Sequence, residues 1–189
     1  MPVLMAKGQR VPLNRADGRP LNLMRMGIGW RSAPCSGSLG PYWRGRLGTF
    51  ALLYGHGRFL DALFAENPTH PDTSVEHIAG PVAENIAGEG DNESFVARLS
   101  RLPPHADRIV FAVTSFDGST FGTVRSAHCR LVDESLGNEL ARYVLPAHGP
   151  HTALIMAEVT RASGAWTMAA LGEPAACTTF ADLLQAAEV

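Results

Sequence analysis

Turn-forming residues interrupt this chain at short intervals, and that punctuation limits its fold more than any other feature. Its 189 residues include 19 glycines and 13 prolines, which favours short strands joined by turns over a helical bundle. Phe50–Tyr54 reads as a buried strand, and Gly55-His56-Gly57 turns it into Arg58–Phe64 as a hairpin. Arg108–Thr114 is the clearest core strand. Thr123–Val132 and Asn138–Leu145 form a second hairpin across Asp133–Gly137, and Thr152–Thr160 and Ala165–Leu171 follow around Ser163-Gly164. Shorter strands are expected in Met1–Pro20, Leu21–Trp30 and Ser74–His77. Ser94–Leu99 adds another, with Phe95, Ala97 and Leu99 on one face. Phe180, Leu183 and Leu184 fall at helical spacing behind Thr179, a suitable cap. The expected fold is all-β: one domain, 1–189, built as an antiparallel β-sandwich of about ten short strands with a short C-terminal helix.

Composition removes several functions. No apolar run approaches a membrane span, and Met1–Gln9 lacks the basic-then-apolar order of a signal peptide. Cys35, Cys129 and Cys177 are widely spaced and form no CxxC pair, which fits reduced thiols in a cytoplasmic protein. A net charge of -2 is too weak for a nucleic-acid footprint. The charge is uneven, however: residues 1 to 60 hold nine Lys or Arg against one acid, Asp17, and the rest hold seven against seventeen. Gly27-Ile28-Gly29 lacks the third glycine and the following helix of a dinucleotide loop. His148 and His151 flank a Gly-Pro turn, and His128 and Cys129 point to opposite faces of one strand. Glu134 and Glu139 near a turn read as a solvated face. No cluster argues for catalysis.

One stretch stands apart. Glu84-Asn85-Ile86-Ala87-Gly88-Glu89-Gly90-Asp91-Asn92-Glu93 gathers carboxylates, amides and glycines into a single run. Oxygen donors at close spacing suit a hard cation such as calcium, and glycine lets backbone fold around an ion. A solvated acidic turn between two strands is the plainer alternative. His77, just upstream, is placed to pack against the stretch.

The order of the motifs resembles the tellurium-resistance and stress-response TerD family of bacteria. The resemblance runs from Lys7-Gly8 to the terminal helix, through Gly27-Ile28-Gly29-Trp30, Ala51-Leu52-Leu53, Ser74–His77 and Asn85–Asp91. It continues through Ile109–Thr114, Phe116-Asp117, Phe121–Val124, Glu139–Tyr143, Ala153–Ile155 and Gly164-Ala165-Trp166. It implies a noncatalytic β-sandwich that binds calcium and acts in stress responses through other proteins of a complex or through self-association, without nucleic acid or membrane insertion. The oxygen ligands it implies are Glu84, Asn85, Glu89, Asp91, Glu93 and Asp117.

The chain departs from the family at one place. Where the family has Asp-Leu-Asp before the Ala-Leu-Leu strand, this chain has Arg46-Leu47-Gly48. Reversing a charge beside a divalent-ion site weakens binding. Two expectations follow: calcium binding kept in weakened form, or a metal-free structural protein in which Arg46 replaces the ion. In the second case Arg25, Arg31, Arg44, Arg46 and Arg58 form the partner surface.

Overall fold

The alternating pattern of Leu21–Trp30 and the unbroken apolar runs at Phe50 and Ile109 have one physical cause: the two sheets of this protein are buried differently. The computed structural model describes residues 1–15, 17–32, 47–80 and 90–188. Twelve strands form among them, in two six-stranded sheets. The first sheet has the order β1 (Val3–Met5), β10 (Asn138–Pro146), β9 (Val124–Asp133), β3 (Leu23–Ser32), β7 (Glu93–Arg98), β6 (Val75–Ala79). The second has the order β2 (Arg10–Pro12), β12 (Ala165–Ala175), β11 (Ala153–Ala162), β8 (Arg108–Thr114), β4 (Gly48–Gly55), β5 (Arg58–Leu63). All pairings are antiparallel except that of β1 with β10.

The all-β sandwich expected from the sequence is present, with twelve strands rather than about ten. The N-terminal segment accounts for much of the difference. A turn at Gly8, with φ of 80°, divides it into β1 on one sheet and β2 on the other. Gly8 N and Gln9 O then bond Ala170 O and N on β12, tying the turn to the second sheet.

The sheets pack face to face through one apolar core. Met24, Met26 and Phe95 come from the first sheet, and Leu53, Ile109 and Phe111 from the second. Phe95 and Phe111 meet across the interface with ring centroids 5.7 Å apart. The second sheet also buries its other face. Phe50, Leu52, Val110 and Ala112 contribute to a separate cluster with Leu183 of helix α1 (Phe180–Ala186), and the Phe50 ring lies against Phe64 and Phe180. Strands β4 and β8 are therefore apolar on both sides, which is why they read as continuous runs. Helix α1 starts with a capping box: Thr179 Oγ1 accepts from Asp182 N, and Asp182 Oδ2 accepts from Thr179 N.

Two hairpins match their turn residues closely. His56 and Gly57 link β4 to β5 with φ of 51° and 75°, and Ser163 and Gly164 link β11 to β12 with φ of 50° and 81°. Two positive values in succession give the turn whose twist suits a two-residue hairpin, and the glycine takes its second position without strain.

Candidate functional site

The outer face of the first sheet is polar, and its strand register decides which polar groups meet. On β3, Met24, Met26 and Ile28 point into the core, so Arg25, Gly27, Gly29 and Arg31 line the opposite face. Gly27 sits opposite Arg130 and Gly29 opposite His128 on β9. Next to them on β10, a bulge between Glu139 and Ala141 sets Glu139 opposite Val132 and Ala141 opposite Leu131. Ala141 thus points inward while Glu139 faces out with Arg130 and Arg142.

The described end of the acidic stretch folds down onto this face. Asn92 N donates to Ile28 O at 2.8 Å, and Asn92 Oδ1 accepts from Trp30 N at 2.8 Å. These bonds bring Asp91 over Gly27. A Cβ added at Gly27 would strike the Asp91 carboxylate, and one at Gly29 would strike the His128 ring. The two glycines that resemble a dinucleotide motif are thus spacers for a carboxylate and an imidazole.

Arg130 grips Asp91 with both prongs of its guanidinium: Nε donates to Oδ1 and Nη2 to Oδ2, each at 2.7 Å. His128 Nε2 lies 3.4 Å from Oδ1. Arg130 Nη1 reaches Glu139 Oε2 at 3.3 Å, and Glu139 is held by Arg142 at 2.7 and 2.6 Å. Arg25 pairs with Glu134 at 2.6 Å further along. Burial pushes the Asp91 carboxyl upward, but hydrogen bonds from His128 and Arg130 and the charge on Arg130 outweigh it and hold the group at about 2. The hydrogen bonds from Arg142 lower Glu139 as well.

Glu93 goes the other way. It shares the parity of Phe95, which is in the core, and its carboxylate bonds His77 Nε2 at 2.8 Å and the hydroxyl of Thr49 on the second sheet. His77 therefore packs against the acidic stretch as its position suggested. Asp117 caps its own turn after β8, with Oδ1 accepting from Ser115 Oγ at 2.5 Å and Ser119 N at 2.9 Å.

Of the six expected ion ligands, Glu84, Asn85 and Glu89 lie outside the described residues. The other three are engaged in three different settings: Asp91 on the outer face, Glu93 on the core side, Asp117 in a turn. Calcium takes six to eight oxygens at 2.3–2.6 Å, and these three carboxylates do not build such a shell between them. Among the described residues, no three His, Cys, Asp or Glu side chains form a group able to hold a metal ion.

Of the expected arginine surface, Arg44 and Arg46 also lie outside the described residues. Arg25 and Arg31 share the outer face of the first sheet, whereas Arg58 begins the edge strand β5 of the second. Glu134 and Glu139, read from sequence as a solvated face, are half-buried ion-pair partners. Arg130 and Arg142 were not singled out by sequence at all. The sequence signal for Arg130 is that His128, Arg130 and Val132 share one face of β9, and for Arg142 that it lies in the Glu139–Tyr143 motif; nothing local names the carboxylate that Arg130 meets on the acidic stretch.

The sequence model of the TerD domain matches residues 1–186. The tellurium resistance protein TerZ of Serratia marcescens is 31% identical over 188 residues, covering 96% of this chain and 94% of the relative. The stress response protein SCP2 of Bacillus subtilis is 28% identical over 200 residues, covering 97% and 98%. A solved homologue of telluride resistance protein (TerD) from Streptomyces coelicolor A3(2) superposes with a TM-score of 0.59 at 20% identity, over 83% of this chain and 92% of that one, and shares the fold. The family match over nearly the whole length, joined to a full-length relative above 30% identity, establishes that this chain belongs to the TerD domain family.

Proposed function

We propose that this protein is a noncatalytic stress-response module of the tellurium-resistance kind, acting by contact with other proteins or with copies of itself. The outer face of the first sheet carries this reading. It presents ion pairs in a row, Arg25–Glu134, Arg130–Asp91 and Arg142–Glu139. Leu4 and Val144 stand exposed beside them at 75% and 55%. Leu4 lies opposite Arg142 in the β1–β10 pair, and Val144 is two residues further along β10, so both share this face. Exposed apolar side chains rimmed by charge suit a protein contact.

The same face offers little to catalysis. Its acids and bases neutralise one another instead of leaving one poised to take or give a proton. Burial pushes the Cys129 thiol up to about 12, so it stays protonated and unreactive near neutral pH. Among the described residues no helix is long and apolar enough to cross a membrane. Free, buried Cys129 and Cys177 fit a cytoplasmic setting. Calcium enters this reading in weakened form, because Asp91, Glu93 and Asp117 already accept bonds within the protein, which leaves Glu84, Asn85 and Glu89 as the remaining expected ligands. Calorimetric titration of the metal-stripped protein reads that binding directly.

The test is tellurite challenge of a bacterial host that lacks its own relatives of the chain. Leu4→Glu/Val144→Glu is compared with the wild type after both are shown to melt alike. Survival with the wild type and loss of survival with the variant is the expected result. Equal protection by the variant refutes the contact face, and sedimentation velocity separates self-association from a second partner.

A further inference from the structure

A divalent ion at a carboxylate neutralises its charge and ties it to donors on other segments. At Asp91 the protein accomplishes both with its own side chain. Arg130 donates to both Asp91 oxygens at 2.7 Å and reaches on to Glu139 at 3.3 Å. Three carboxylate oxygens on two separate segments are thereby linked through one cation. The bidentate fork is the strongest arrangement available to an arginine and carboxylate. We infer that Arg130 is a built-in cation at Asp91, fastening the end of the acidic stretch to β9 where a divalent ion would otherwise be required, so that this anchor does not depend on calcium.

The surroundings support the assignment. Gly27 and Gly29 leave room shaped by the carboxylate and the His128 ring. Asn92 secures the next residue through two bonds to the β3 backbone, which fixes the carboxylate in front of the guanidinium. A calcium ion at Asp91 would have to share both oxygens with Arg130 or displace it while sitting beside its positive charge, which is costly in a site where the Asp91 side chain is only 9% exposed. Arg130 thus does at Asp91 what was expected of Arg46, which lies outside the described residues. The inference deepens the interaction-module reading but does not need it, since the fastening holds whatever partner the outer face takes.

The experiment compares melting midpoints of the full chain in chelator and in millimolar calcium, for the wild type, Arg130→Gln, Arg130→Lys, Asp91→Asn and the Arg130→Gln/Asp91→Asn pair. Any calcium-dependent rise of the wild-type midpoint is expected to persist unchanged in Asp91→Asn. Arg130→Gln should fall by roughly 5 °C, Arg130→Lys by less, and the double variant should recover part of the loss because the stranded carboxylate is gone. A calcium-dependent rise that Asp91→Asn leaves intact places the ion elsewhere and agrees with the inference. A rise abolished by Asp91→Asn overturns it, because Asp91 would then be a calcium ligand. Strictly additive losses in the double variant overturn it too, because the two side chains would not be coupled. If Arg130→Gln fails to fold, the wild type and Asp91→Asn still decide through the calcium arm. Failure of this inference leaves the survival test untouched, and failure of the survival test leaves these midpoints unchanged.

Discussion

The two sheets are equal in strand number and opposite in how they treat their outer faces. The second sheet hides its outer face beneath aromatic side chains and helix α1, with Phe50, Phe64 and Phe180 in contact and Leu183 fully buried. The first sheet lines its outer face with partly buried paired charges and exposes Leu4 and Val144 toward its β1 edge. Stability near the second sheet's outer face therefore rests on apolar area removed from water, which salt hardly affects. On the first sheet it rests on local pairings that pH and mutation can undo singly. A surface of that second kind can be rearranged for a partner without dismantling the core.

This contrast predicts a steep order of mutational effects. Leu183→Ala should cost most, about 3 kcal/mol, through lost burial and the cavity it leaves beneath α1. Urea unfolding measures it, and a loss below about 1 kcal/mol would mean that the helix contributes little to the second sheet.

The acid limb comes next. The Asp91 carboxyl sits at about 2 in the folded protein against an ordinary 3.8. The folded state therefore binds fewer protons, and the stabilisation is present above about pH 4 and lost as pH falls toward about 2. The difference is worth about 2 kcal/mol. Urea midpoints from pH 7 to pH 2 should fall less for Asp91→Asn than for the wild type. Parallel curves would remove Asp91 from the acid response.

Gly27→Ala is smaller again. The new methyl group forces the Asp91 carboxylate away from Arg130, at a cost of about 1.5 kcal/mol. The cost should largely vanish in an Asp91→Ala background, and persistence there would locate the strain in β3 itself. The smallest effect is expected for Arg25→Ala. Its pair with Glu134 is about a third exposed on both sides, so about 0.5 kcal/mol is expected, falling further in high salt. A loss as large as that of Leu183→Ala would erase the distinction between the two faces.

Much of the fold was legible in advance because its causes are local. Alternation in Ser94–Leu99 put Phe95, Ala97 and Leu99 on one face, and all three lie in the core. His56-Gly57 and Ser163-Gly164 named their hairpins because positive φ is a property of those residues in place. Thr179 named its helix through a bond to a backbone three residues away. The division of the N-terminal segment was not legible, because each half is held by a different distant strand, β10 or β12.

The site was legible in part. The acidic stretch stood out by composition, and His77 did meet it, through Glu93. Nothing in composition says that Asp91 and Glu93, two residues apart and both on offer as ion ligands, serve opposite sides of the sheet. The approach of Asp91 to Arg130 spans 39 residues and depends on β9 lying beside β3 in one register; a slip of one residue would turn Arg130 into the core. Local chemistry thus determined strands, turns and helix from the sequence alone. Which charge answers which was decided only when distant strands paired, because an ion pair needs two side chains within a few ångströms and sequence separation carries no such distance.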